Sequence, residues 1–147
     1  MADLERARQL LEEGGYTCVL CKGDVVYSSR ERGVRPVLDW ITAGVDLKDF
    51  SAADKVVGKA AAFLFVLAGI SRLHTAVISE PARDVLRKHG VDAEYDRCVP
   101  GIINRAGDGP CPMESAVRET EDPEEAIGLI RNKLAEMRAK QPPEEKQ

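Results

Sequence analysis

Nowhere in this chain is there an apolar run long enough to cross a bilayer. The longest nearly apolar stretch, Ala60 to Ile70, falls far short of the ~20 residues a spanning helix needs, so no membrane association is expected. An excess of positive charge is missing too. The net charge is −4, which suggests no polyanion-binding surface and disfavours nucleic acid as a partner. The first residues, MADLERARQLLEEGG, alternate charge with leucine and lack the apolar centre of a secretion signal. Without one, the four cysteines are expected to be free thiols in a reducing cytoplasm. No segment repeats itself. What is there, 147 residues with 44% hydrophobic and 31% charged, suits one soluble globular domain over residues 1–140, with QPPEEKQ (141–147) as a disordered tail.

Hydrophobic spacing organises that domain. Asp3 can cap a helix with Leu4, Ala7, Leu10 and Leu11 on one face, stopped at Gly14-Gly15. YTCVLCKGDVVYSS, from Tyr16, holds two β-rich runs around Lys22-Gly23-Asp24 and predicts a hairpin. Val34, Val37, Leu38 and Ile41 keep helical spacing up to Gly44, with Pro36 in the first turn. Residues 45–53 read as a loop, after which Asp54 caps DKVVGKAAAFLFVLAG, a helix apolar almost all round that must be covered on every side. RLHTAVIS predicts a strand, EPARDVLRKHG a helix between Ser79 and Gly90, and AEYDRCVP another strand. Residues 101–116 form a loop rich in glycine and proline, with a short helix in PMESAVRE. A last helix opens at Asp122-Pro123, with Glu125 completing a capping-box-like pattern and Ile127, Ile130, Leu134 and Met137 as its buried stripe. This order predicts a three-layer α/β/α domain with a mixed sheet.

DKVVGKAAAFL, VISEPARDVL and IINRAGDGPCPME resemble the prokaryotic domain of unknown function 1893 family, over roughly residues 15–135. The element order is similar to the cytidine deaminase-like fold. The family brings no established activity, but the fold implies a pocket at the C-terminal strand ends. Zinc deaminases of this fold start one helix there with H-x-E or C-x-E and the next with P-C-x-x-C. Here VVGKAA, residues 56–61, contains no His, Cys or Glu. In SEPARDV, Pro81 matches the motif's proline, but Ala82 and Val85 stand at its cysteine positions. No zinc, other metal or cofactor is therefore expected, and the chain does not read as a zinc-dependent deaminase. GDGPCPMESAV also resembles P-C-x-x-C, with Glu114 where the second cysteine would stand, but it follows the wrong strand and carries no metal site. The superfamily also contains a folate-dependent formyltransferase domain without the deaminase metal, so a role without zinc is within what the resemblance implies.

Individual residues leave alternatives open. Cys18 and Cys21, three apart in a strand, point to opposite faces and read as small hydrophobes. Cys98 carries no further signal, His74 falls inside a predicted strand, and His89 suits a helix C-terminus. Lys59 is either a snorkelling lysine assisted by Asp54 or another acid, or an ammonium that holds an anion. Glu80 is a pocket-side carboxylate or a favourable helix-start charge. Asn104 and Arg105 suit a phosphate or carboxylate, and Cys111, ahead of a short helix and near Arg105, suits a thiolate. A structural loop covering the sheet end explains the same residues. Near the helix starts at 55 and 80, Lys59, Glu80, Asn104 and Arg105 are expected to bind ligand, and Cys111, Lys59 and Glu114 to act in any reaction. Three classes follow: a domain that binds a small polar or anionic, nucleotide-like molecule; a metal-independent enzyme; and an interaction module, for example in a homodimer.

Overall fold

Gly23, with φ of 57°, turns the chain between β1 (Cys18–Lys22) and β2 (Val25–Ser29) in a two-residue loop that pairs Lys22 with Val25. That hairpin is one edge of a five-stranded sheet with order β2-β1-β3-β4-β5. β1 runs antiparallel to both neighbours, whereas β3 (Ser51–Val57), β4 (Arg72–Ser79) and β5 (Asp92–Val99) are parallel. α2 (Arg35–Thr42), α3 (Lys59–Ala68) and α4 (Glu80–Lys88) make the crossovers, and α5 (Pro112–Ala116) and α6 (Pro123–Lys140) follow the last strand. The computed structural model describes residues 2–103, 107 and 109–140, so the expected tail at 141–147 lies outside it.

The central strand β3 corrects the sequence reading, which put a loop at 45–53 and a helix cap at Asp54. Ser51, Ala52 and Ala53 are buried, and the strand pairs on both sides. SAADKVV therefore shows no alternation and, being rich in small and charged residues, little β propensity. α3 starts later, with Gly58 as its N-cap.

Helices cover both faces. α1 (Asp3–Gly14) packs Ala7 and Leu11 on Val19, Cys21 and Ala53 of one face. Ala2 precedes it without a side-chain cap, and Asp3 Oδ1 instead accepts the Gly23 N–H at 3.2 Å, tying the helix to the hairpin turn. On the other face the large core surrounds α3, whose Phe63, Leu64 and Phe65 are fully buried. α2, α4, α5 and α6 all touch α3, which explains a helix with no polar face. Ser79 caps α4 by accepting the Ala82 N–H, and Asp122 starts α6 by accepting the Glu124 N–H. The buried stripe of α6 stops short of the expected Met137, which is 37% exposed.

Candidate functional site

Two features adjoin α5. The first is the start of α3. Helix N-termini leave backbone N–H groups without partners and favour negative charge. Glu114 meets that need across the fold: its carboxylate accepts the Lys59 N–H at 2.5 Å and the Ala60 N–H at 3.0 Å. Gly58 makes room, because a Cβ there would lie 2.5 Å from the Glu114 carboxyl carbon. Lys59 is 7% exposed. Its ammonium turns away from Glu114 to Glu121 Oε2 and the Arg118 carbonyl, both at 3.0 Å, and lies 5.7 Å from the Phe63 ring centroid. The acid that assists it is Glu121 rather than Asp54. The hydrogen bond from Lys59, aided by its charge, holds the Glu121 carboxyl below its ordinary range.

The second feature is a cleft of about 530 Å³ between the start of α2, Ile103 with the Cys111–Met113 stretch, and the C-terminal part of α6. Val34, Ile103, Met113, Leu134 and Met137 make it largely apolar, and Cys111 opens into it. Arg32, Arg35 and Arg138 line it, with no acidic residue among the described lining. Among the described residues, none of these guanidinium groups meets a carboxylate. Cys111 is half-buried at the N-cap of α5, with its N–H bonded to the Ile102 carbonyl at 3.0 Å. Ile103 and Pro110 form an isolated antiparallel bridge just before it.

The expected six-residue site is thus divided. Lys59 and Glu114 come together, but through the Lys59 main chain. Cys111 sits in the cleft three residues before Glu114. Glu80 is exposed at the first turn of α4, and no hydrogen bond or ion pair joins it to the others among the described residues. Asn104 and Arg105 lie outside the described residues. The three cleft arginines went unread because they come from chain segments a hundred residues apart and follow no local motif.

Other ionisable groups serve the sheet. Cys18 and Cys21 belong to opposite faces, as their spacing requires. Asp54 pairs with Cys18 across β1 and β3; burial pushes its carboxyl up to about 7, against the N–H groups of Val56 and Lys55 that favour the charged form. The Cys18 thiol is raised in turn, first by burial and then by Asp54. On the α1 face, His74 is 8% exposed, with Nδ1 3.1 Å from Glu94 and Nε2 4.0 Å from Asp96. No three His, Cys, Asp or Glu among the described residues lie together as a metal site.

Comparison with known proteins adds a family. The profile described as "Domain of unknown function (DUF1893)" matches residues 6–134. The chain belongs to the DUF1893 family. A crystal structure of a DUF1893 protein from Thermotoga maritima is 30% identical, covers 91% of this chain and 89% of its own, and superposes with a TM-score of 0.80. A diaminohydroxyphosphoribosylaminopyrimidine deaminase/5-amino-6-(5-phosphoribosylamino)uracil reductase from the same organism is 16% identical, covers 64% of this chain and 35% of its own, and reaches a TM-score of 0.40. No curated protein matches the chain. Among the described residues of this DUF1893 protein, no helix is long and apolar enough to cross a membrane.

Proposed function

We propose that this DUF1893 protein is a ligand-binding domain and that the cleft between α2, α5 and α6 takes a small anionic molecule. One observation carries the reading: a chain of net charge −4 gathers Arg32, Arg35 and Arg138 around an apolar cleft with no carboxylate among its described lining residues. Unpaired guanidinium groups beside an apolar surface repel one another, and an anion relieves that repulsion while accepting their hydrogen bonds. The cleft's volume, about 530 Å³, falls in the range of small-molecule sites.

The mixed sheet is consistent with a deaminase-like fold, and the reading treats the protein as a domain of that kind without the zinc machinery. With β3 in place, the helices that follow β2 and β3 are α2 and α3. They start at Val34-Arg35-Pro36-Val37 and Gly58-Lys59-Ala60-Ala61, with no His, Cys or Glu in either. The start of α3 already holds the Glu114 carboxylate, so an exogenous anion is better served by the cleft. Cys111 supports a second reading, in which its thiol attacks an electrophile bound beside the arginines.

The test is thermal melting against a panel of phosphates, carboxylates and nucleotides. At about 100-fold excess over its Kd, a ligand adds about 2.7 kcal/mol of stability. At least one anion should raise the Tm, and Arg35→Glu with Arg138→Glu should erase the rise. Absence of any shift in the wild type would overturn the proposal in favour of an interaction module.

A further inference from the structure

The cleft walls say what kind of anion fits. We infer that the ligand is an amphiphilic acid, a carboxylate or phosphate head on a hydrocarbon or aryl body, free in solution and without hydroxyl or amine donors along that body. This rests on the cleft being the ligand site, as proposed above.

The described lining contributes only two kinds of polar side chain. Arg32, Arg35 and Arg138 donate hydrogen bonds and accept none, and the Cys111 thiol does either weakly. The remaining side chains, among them Val34, Ile103, Met113, Leu134 and Met137, have no group that accepts a strong hydrogen bond. A ribose or base that enters brings hydroxyl and amine donors, and no described lining side chain carries a carboxylate, amide, hydroxyl or imidazole to receive them. Each donor buried without an acceptor weakens binding about tenfold or more. An acid with an apolar body carries no such donors.

The rim points the same way. Ile103 is 65% exposed and Met137 is 37% exposed, and both line the cleft. Covering them is favourable, and methionine's flexible thioether fits bodies of different shape. The head group is fixed by guanidinium forks, which match carboxylate and phosphate alike. A polar nucleotide, the expectation from sequence, uses the arginines but leaves this apolar surface wet.

The experiment uses the whole protein with ¹³C-methyl-labelled methionine. Of the three methionines in the chain, Met113 and Met137 line the cleft, so their methyl signals report on it directly. The probes, below micelle-forming concentration, are decanoate, decyl phosphate, decyl glucoside, inorganic phosphate and AMP. Decanoate or decyl phosphate should shift both signals saturably, and the pair tells a carboxylate site from a phosphate site. AMP, inorganic phosphate and the uncharged glucoside should bind at least about tenfold more weakly. Arg35→Ala and Met137→Ser, both at exposed positions, should each weaken the acid about tenfold with an unchanged Tm in its absence. AMP binding as tightly as decanoate, and lost in Arg35→Ala, would overturn the amphiphile and leave the anion site standing. Glucoside binding as tightly as decanoate would overturn the acidic head in both proposals. If no probe moves either signal, both proposals fail together.

Discussion

Adding a methyl group at position 58 separates backbone preference from crowding. Gly58 has φ of −97° and ψ of −179°, which alanine adopts without strain, so any cost comes from the 2.5 Å approach to Glu114. Gly58→Ala should expel the carboxylate and lose the cap, at about 1–2 kcal/mol. Glu114→Ala should cost about the same. The double variant should be no worse than either single one, because with Glu114 gone the atoms nearest the new methyl group are gone too. Denaturant melts of all four proteins check this, and additive losses would show that Gly58 matters for another reason.

Asp54 makes a second prediction at this scale. Its folded carboxyl is pushed up to about 7, above an unfolded value of about 3.9. Below the unfolded value both states hold the proton and there is no penalty. As pH rises toward about 7 the unfolded chain releases its proton first, and stability falls. The whole shift corresponds to at most about 4 kcal/mol, and partial exposure of the residue reduces that figure. Asp54→Asn should flatten the fall between pH 4 and 7 and be more stable than wild type at pH 8. A wild-type Tm that is level over that range would refute the assignment.

At the scale of elements, α5 is a five-residue helix that cannot persist alone. Buried Met113, the Glu114 carboxylate on α3 and the Cys111 N–H on Ile102 hold it. Lys59 ties the next stretch of chain to α3 through Arg118 and Glu121. Lys59→Met keeps the buried stem and gives up a pair with an exposed partner, so it should cost only about 1 kcal/mol. Lys59→Ala leaves a cavity and should cost about 2 kcal/mol or more. Because the ammonium is engaged on the stretch between α5 and α6, Lys59→Met should also keep the anion-dependent rise in Tm that Arg35→Glu with Arg138→Glu removes. Loss of that rise in Lys59→Met would place the lysine in the ligand site.

Across the whole molecule, thiol chemistry follows the layers. Cys18 and Cys21 lie under opposite helix layers, while Cys98 and Cys111 reach the surface in part. Iodoacetamide should label Cys111 and Cys98 in the native protein and the other two only on unfolding, as peptide mass spectrometry would read. The ends of β4 and α4, the hairpin turn and the opposed cysteines were legible in the sequence because each depends on neighbours a few residues away. Turn chemistry, caps and the two-residue alternation of strands act at that range. β3 was not legible, since its first half, Ser51–Ala53, is buried on both faces and loses the alternation that marks a strand. Nor was the cap on α3, whose two partners lie 55 residues apart in the chain. The cleft drew its arginines from segments about a hundred residues apart. Local physics settled most of the helices and strands, β3 apart, and which family the chain resembles. Only the closing of the chain on itself decided which charge meets which, because a carboxylate's partner depends on distance in space, for which sequence carries no period.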